Sequence, residues 1–408
     1  MALRQLALLP ALALLSVLLY AGLSHADPQY VLGGDVVPAN TARIIALGTG
    51  TPNVYKDQLA TSYLIQLGLD GQNVTNILFD VGTGSIVNLY ATQVSLANVA
   101  TVFLSHLHSD HITDLAPLYA LASGRSGPLQ VWGPSGASPD LGTNATVAGL
   151  KAFLGWDQAS RNHVSEFPAG YTGNQIVAHE FNYSVPNQLV YNQSGVVVYS
   201  NPAFHYDTPG PVSLKLQWRN LTITYSGDTV PLTTFVDFAL GSDVVIHEAV
   251  GPVYNLSAAA IASKNIALNH TTAVQVGQIF QAIQPRLAIA THLSLRQDTY
   301  VPLVSAIRSS FPAGPLALAQ DLAVWDVSAT SIQQRRFLVI PNGVGGLFTA
   351  PSAAPNPAGY KFVTQFDYNW PFPATTHTGL QLYTPGQALA PLPANPASVA
   401  ASSTSGRH

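Results

Sequence analysis

The sequence predicts an α/β fold in which strands and helices alternate, and three observations carry that prediction. Short apolar runs bounded by Gly, Pro, Asn and Asp recur through the centre of the 408-residue chain, with helical patterns between them. Apolar residues make up 47% of the sequence, enough for a sizeable core. Cysteine is absent, so no disulfide can staple that core.

In chain order, strands are expected at residues 43–48, 62–68, 76–80, 101–105, 130–133, 196–200, 213–218, 221–225, 244–247 and 287–291. The run at 101–105 reads as a short buried strand that ends in polar residues. Helices fit residues 85–93, 115–122, 147–153, 271–283 and 301–310. Residues 138–173 are expected to cap a cleft. There Lys151, Trp156 and Arg161 could touch an anionic substrate, but a solvated helix face is the preferred reading.

Composition excludes several function classes. Sixteen Lys and Arg against twenty Asp and Glu give a net charge of −4, which excludes a strongly basic surface and strong non-specific attraction to nucleic acid. The lack of cysteine excludes thiol nucleophiles and thiolate-bound metals, so any metal must be held by His, Asp or Glu. Twelve His are present.

Residues 1–26 read as a signal peptide: Arg4 precedes an apolar run from Leu6 to Tyr20, and Ser24 and Ala26 are the small residues before a cut at Asp27. No later segment has eighteen consecutive apolar residues, so no membrane span is expected after cleavage. Asn73, Asn144, Asn182, Asn192, Asn220, Asn255 and Asn269 lie in Asn-x-Ser/Thr sequons, which supports a secreted glycoprotein. Residues 27–345 form the expected main domain. From 346 to 408 the composition turns to Ala, Pro, Ser and Thr, a partly disordered tail interrupted by an aromatic island at 360–372. His377 and His408 in that tail are expected to be exposed and inert.

The strongest chemical signal is Ser105-His106-Leu107-His108-Ser109-Asp110-His111, directly after an apolar strand. Imidazoles crowded this closely repel when protonated and resist desolvation, so a structural role is a poor account of them. Nitrogen and oxygen donors without sulfur suit Zn²⁺ or another borderline divalent ion. Further candidate ligands each follow a strand-like run: His205, Asp228 in Ser-Gly-Asp-Thr, and His292.

These residues resemble the metallo-β-lactamase superfamily, in its ribonuclease Z and arylsulfatase-like branch. The His-x-His-x-Asp-His run carries the likeness. It is joined by Leu47-Gly-Thr-Gly-Thr-Pro52, Ile77-Leu-Phe-Asp80-Val-Gly, Gly133-Pro-Ser-Gly136, Val245-Ile-His247-Glu248-Ala and Asn269-His270-Thr271-Thr272. The likeness spans roughly residues 42–330, and seven of the twelve His fall in its motifs. It implies a four-layer αβ/βα sandwich with two divalent metal ions, Zn²⁺ being the first candidate. One ion would take His106, His108 and His205, and the second Asp110, His111 and His292. Asp228 would bridge them, and Asp80 would orient the cluster by accepting hydrogen bonds. Two cations flanking one water would supply hydroxide near neutral pH. Asp110 would align or deprotonate that nucleophile. His270 would donate a hydrogen bond or proton to the developing charge, with Glu248 as its partner. His163 and His179 lie in no motif and are expected to be surface or core residues. A homodimer is implied only by analogy.

The expected reaction is hydrolysis of a small anionic sulfate or phosphate ester, as in the arylsulfatase-like relatives. Acidic charge, secretion and the lack of a basic Gly/Pro-rich arm argue against nucleic acid as the partner. The strand-like stretch 317–326 also looks more like the arylsulfatase-like group. The alternatives are a ribonuclease Z-type phosphodiesterase, a lactone or β-lactam hydrolase, and a non-catalytic binding glycoprotein on the same fold.

Overall fold

The computed structural model describes residues 30–32, 35–53, 55, 58–121, 124–161, 170–206, 208–250, 269–293, 300–339 and 346–349. The expected signal peptide, His163, Asn255, the aromatic island, His377 and His408 lie outside the described residues.

The chain builds two sheets in turn. It starts in the first with β1 (Tyr30–Leu32), β2 (Ala42–Gly48), β3 (Ser62–Gly68), β4 (Val74–Phe79), β5 (Val99–Phe103), β6 (Leu129–Pro134) and β7 (Ile176–Phe181). It then lays down the second with β8 (Gln188–Gln193), β9 (Val196–Pro202), β10 (Val212–Trp218), β11 (Leu221–Tyr225), β12 (Val244–Glu248), β13 (Leu287–Thr291) and β14 (Leu316–Leu318). It returns to the first with β15 (Ala323–Val327), β16 (Ile332–Val339) and β17 (Gly346–Thr349). The ten-stranded sheet runs β1-β17-β16-β15-β2-β3-β4-β5-β6-β7, and the seven-stranded one β14-β13-β12-β11-β10-β9-β8. Strands β4 to β7 are parallel, as are β11 to β14.

Alternation along each strand explains how two sheets give four layers. All seven residues of β2 are buried, the mark of a strand covered on both faces. Its Ile44 and Ala46 point into the core between the sheets, and Ile45 and Leu47 into the core under the outer helices. The inter-sheet core joins Tyr63, Phe79 and Phe103 of the first sheet to Leu214, Ile223, Tyr225 and Ile246 of the second. Phe79 stacks on Tyr225 across that boundary, with ring centres 6.0 Å apart. Burying each such aliphatic or aromatic side chain stabilises the fold by about 1.5–3 kcal/mol.

Helices α1 (Ser85–Ala91), α2 (Ser109–Ile112), α3 (Leu115–Leu121), α4 (Thr143–Phe153) and α5 (Gly155–Arg161) follow strands of the first sheet. Ile86, Leu89, Leu115, Leu118 and Val147 pack on its outer face. Helices α6 (Thr233–Ala239), α7 (Ala273–Ile283) and α8 (Tyr300–Arg308) cover the second sheet with Phe235, Val276, Ile279, Phe280, Leu303 and Ile307. No helix among the described residues is long and apolar enough to cross a membrane.

Two sequence expectations are corrected. The described part of the stretch expected to cap a cleft packs instead in the outer layer, where Val147 of α4 joins Val131 and Ile176 of the first sheet in one core. As the preferred reading of a solvated helix face had it, Lys151 and Trp156 face solvent, and Arg161 pairs with Asp157 at 2.8 Å on an exposed helix. The stretch assigned to the tail also begins inside the sheet, since Gly346–Thr349 pairs with β16 and β1. Composition averages over many residues and blurs a boundary that backbone pairing sets.

Candidate metal centre

The site residues gather at one edge of both sheets, mostly at the C-terminal ends of parallel strands, where loops of a layered α/β fold meet. After β5, the Leu104 N–H still donates to the Trp132 carbonyl (2.8 Å) before the chain leaves the sheet. His106 and His108 lie in the turn that follows, and the single helical turn α2 presents Asp110 and His111. His205 follows β9, Asp228 follows β11, Glu248 ends β12 and His292 follows β13. Two glycines permit the loops to close in. A side chain at Gly82 would meet the Asp110 carbonyl oxygen at 2.1 Å. One at Gly227, which has φ +59°, would meet Ser105 at 2.7 Å.

The structure brings together every metal-ligand candidate named from the sequence. His106 Nε2 lies 3.1 Å from His108 Nδ1, and His205 Nε2 lies 3.2 Å from the same atom. Beside this trio stand Asp110, His111, Asp228 and His292. His292 Nε2 is 3.3 Å from Asp110 Oδ2 and 3.2 Å from Asp228 Oδ2. His111 Nε2 is 3.5 Å from Asp110 Oδ2 and 3.4 Å from Asp228 Oδ1. Asp228 joins the groups: Oδ1 faces His111, while Oδ2 also lies 3.9 Å from His106 and 3.7 Å from His205.

These distances fit a cation better than a hydrogen-bond network. Nitrogen ligands about 2.0–2.1 Å from a tetrahedral ion stand roughly 3.3 Å from one another. His108 Nδ1 meets two imidazole nitrogens, and one ring proton cannot satisfy all three. His111 Nε2 and Asp228 Oδ1 are buried and make no hydrogen bond, the condition of donors that await a ligand.

Hydrogen bonds behind the cluster set its tautomers. Asp80 is wholly buried and accepts four hydrogen bonds, each 2.7 Å: from the Ser105 N–H, the Ser105 hydroxyl, His111 Nδ1 and the Tyr225 hydroxyl. The Ser105 oxygen in turn lies 3.1 Å from His106 Nδ1 and accepts its proton. His205 Nδ1 donates to the Asn269 carbonyl at 2.7 Å. Each imidazole so held directs its Nε2 lone pair into the cluster.

Electrostatics point the same way. Burial lowers His106, His108 and His205, the last to about 4, so all three are neutral and able to bind a metal at neutral pH. Burial opposes charge on His111, but Asp228 and Asp80 overcome it and hold that imidazole well above its usual range. Burial works against the Asp228 carboxylate too, and His292 and His111 outweigh it, keeping the group ionised. Carboxylates thus draw positive charge to the position between Asp110, His111 and Asp228.

His270 and Glu248 stand at the rim. His270 Nδ1 lies 2.9 and 3.1 Å from the two Glu248 oxygens, one of which also accepts the Thr229 N–H at 2.6 Å. Burial disfavours a charged His270, but Glu248 prevails and pushes it up to about 9. His247 belongs to the outer core, edge-on to Phe235 and pulled down by burial to about 4. His179 stacks on Trp132 at 4.0 Å, and neither His joins the cluster.

Sequence reasoning assigned no role to Asp321. Its half-buried carboxylate accepts from the Thr49 hydroxyl (2.8 Å) and the Leu59 N–H (2.7 Å). The Thr49 carbonyl in turn accepts the N–H of Leu293, next to His292, at 2.9 Å. Asp321 therefore braces the Gly-Thr-Gly loop against the turn that carries His292. That turn needs support, since His292 has φ +55°.

Comparison with known proteins follows this geometry. The family described as "Beta-lactamase superfamily domain" matches residues 75–293. The chain belongs to this superfamily and is a metallo-β-lactamase-fold hydrolase of ester bonds. Ribonuclease Z of Mycobacterium marinum is 28% identical over 215 residues, which cover 51% of this chain and 70% of the relative. Ribonuclease BN of Erwinia tasmaniensis is 25% identical over 313 residues, covering 68% and 98%. Among solved structures, the metallo-β-lactamase fold protein YhfI from Bacillus subtilis superposes with a TM-score of 0.53 at 17% identity. It covers 70% of this chain and 100% of that one, a likeness of fold.

The Asp321 brace has a pH signature. Burial pushes this carboxyl up to about 7, against the pull of Leu59 and Thr49, whereas in the unfolded chain it titrates near 4. Between these values the folded chain holds the extra proton, so stability falls as pH rises from about 4 to about 7. Each pH unit in that window is worth about 1.4 kcal/mol. Asp321→Asn is expected to flatten this slope in urea unfolding at about pH 5 and about pH 7.5. An unchanged slope in the variant would show that Asp321 does not titrate there.

Proposed function

We propose that this protein is a binuclear metal-dependent phosphodiesterase of ribonuclease Z type. The observation that carries the reading is the convergence of six imidazole and carboxylate ligands into two adjacent groups that share Asp228. His106, His108 and His205 would hold one divalent ion, and Asp110, His111 and His292 the other, with Asp228 between them. Zn²⁺ suits the nitrogen-rich donor set. The sequence alone favoured a small sulfate or phosphate ester. The ribonuclease relatives support the phosphodiester alternative over the sulfate one. Low positive charge still favours a short or single-stranded substrate over a large folded RNA.

When bound, the two ions would acidify a water at the centre and draw charge from the ester oxygens. The chain's own residues do the rest. Asp80 and Ser105 fix the imidazoles and so the position of the attacked phosphorus. Asp110 lies beside His292 and His111, placed to accept a hydrogen bond from the nucleophile. His270, protonated at neutral pH and steadied by Glu248, directs a hydrogen bond or proton to the leaving oxygen.

We also propose that the protein acts outside the cell after loss of residues 1–26. Five sequon asparagines, Asn73, Asn144, Asn182, Asn192 and Asn220, are exposed, as glycans require, while Asn269 is buried and its carbonyl holds His205.

Metal analysis of the purified protein should find about two ions per chain. His108→Ala and Asp228→Ala should each abolish chelator-sensitive hydrolysis of bis(4-nitrophenyl) phosphate while circular dichroism stays unchanged. A metal-free protein, or full activity in either variant, would refute the assignment. His270→Ala should lower kcat by about 10²–10⁴-fold at unchanged metal content; a loss of metal instead would make His270 a ligand. Glycopeptide mass spectrometry should find an N-terminus at Asp27 and sugar on the exposed sequons but not on Asn269. An intact Met1 with bare sequons would refute secretion.

A further inference from the structure

Tyr206 directly follows the candidate ligand His205, and its backbone takes the left-handed conformation, with φ +50°. That conformation is uncommon for any residue with a side chain and costly for a bulky one. It turns a large aromatic ring toward the mouth of the site. The ring touches three imidazoles and stands nearly perpendicular to each: His205 at 4.6 Å and 79°, His108 at 5.8 Å and 76°, and His270 at 6.2 Å and 86°. The ring therefore borders the first metal group and the proposed proton donor at once. It is nevertheless 42% exposed. The other exposed aromatic side chains among the described residues are Tyr55, Tyr90, Phe153 and Trp156, and none of these makes a ring contact with the cluster.

An exposed aromatic surface beside a phosphoryl-binding centre is suited to one kind of partner. A planar π-system can cover the ring, and stacking of this type holds single-stranded nucleotides without reading their sequence. The alternative source of affinity, a row of cations along the backbone, is poorly supplied in a chain with sixteen Lys and Arg among 408 residues. We propose that Tyr206 is a substrate-binding residue on which a nucleobase next to the scissile phosphodiester stacks. This deepens the phosphodiesterase reading and rests on it.

Two substrates that share a leaving group test the idea: thymidine 5′-(4-nitrophenyl phosphate) and methyl 4-nitrophenyl phosphate. The measured quantity is the ratio of their kcat/KM values in wild type, Tyr206→Phe and Tyr206→Ala, each with metal content confirmed. The ratio should favour the nucleoside ester in wild type, hold in Tyr206→Phe, and fall by roughly 5- to 100-fold in Tyr206→Ala through KM. A ratio unchanged in Tyr206→Ala would overturn the stack, since it means both substrates are affected alike or not at all. A Phe variant as impaired as the Ala variant would assign the effect to the hydroxyl and also overturn it. Calorimetric binding of thymidine 5′-monophosphate to the same proteins reads the stack without turnover. Weaker binding in Tyr206→Ala alone supports it, and equal binding in all three refutes it. Failure of the wild type to cleave either ester would instead count against the phosphodiesterase reading itself.

Discussion

Asp80 ties the two halves of the molecule to one another at the point where the site forms. It stands just past β4 in the first sheet, and it accepts hydrogen bonds from Ser105 and His111 beyond β5 and from Tyr225 at the end of β11 in the second. A carboxylate buried this deeply is tolerable only because all of its partners are charged or polar donors with short contacts. Its backbone is itself left-handed, at φ +56°, a cost that the hydrogen bonds offset. Without that clamp the His111 ring would have no fixed tautomer, and the facing sheets would lose the polar link at the rim of an otherwise apolar interface.

The cluster that Asp80 organises was legible in the sequence to an unusual degree, and the reason is physical. A catalytic centre of this kind sits where strands end, so its residues fall directly after apolar runs that are themselves readable. His106 to His111 are contiguous, and His205, Asp228 and His292 each directly follow a strand or lie within three residues of its end. The elements that escaped notice lack such contrast. Strand β7 carries His179 and Glu180 among half-buried residues, and half of β8 is polar, both strands lying at the open edges of their sheets. The outer position of α4 was misjudged because an apolar stripe tells which face is buried, not against what. The Asp321 brace was invisible for another reason: 272 residues separate it from Thr49, and no spacing signals a contact made only by folding.

Three of the left-handed residues lie at the working edge of the molecule. Asp80, Tyr206 and His292 all have positive φ without being glycine, and all border the metal groups. Two of them are supported by polar contacts: Asp80 by four hydrogen bonds, and His292 by the Thr49–Leu293 bond that Asp321 steadies. The fold thus spends local backbone energy where side chains must converge from separate loops, and recovers it through long-range polar contacts.

Charge sparsity then shapes what the site can do. Only 9% of the residues are charged, so the field at the mouth is set by the groups of the centre itself and not by a surrounding surface. The carboxylates of Asp110, Asp228 and Glu248 make that centre attractive to cations, and bound cations would in turn make it attractive to a phosphodiester. Attraction of this kind acts on the scissile group and fades within about 8–10 Å at physiological ionic strength. If the proposed phosphodiesterase activity holds, selection among substrates would therefore come from short-range contact with whatever flanks the phosphorus. Under the proposed function, the ring of Tyr206, which borders His108 and His270, would supply that contact.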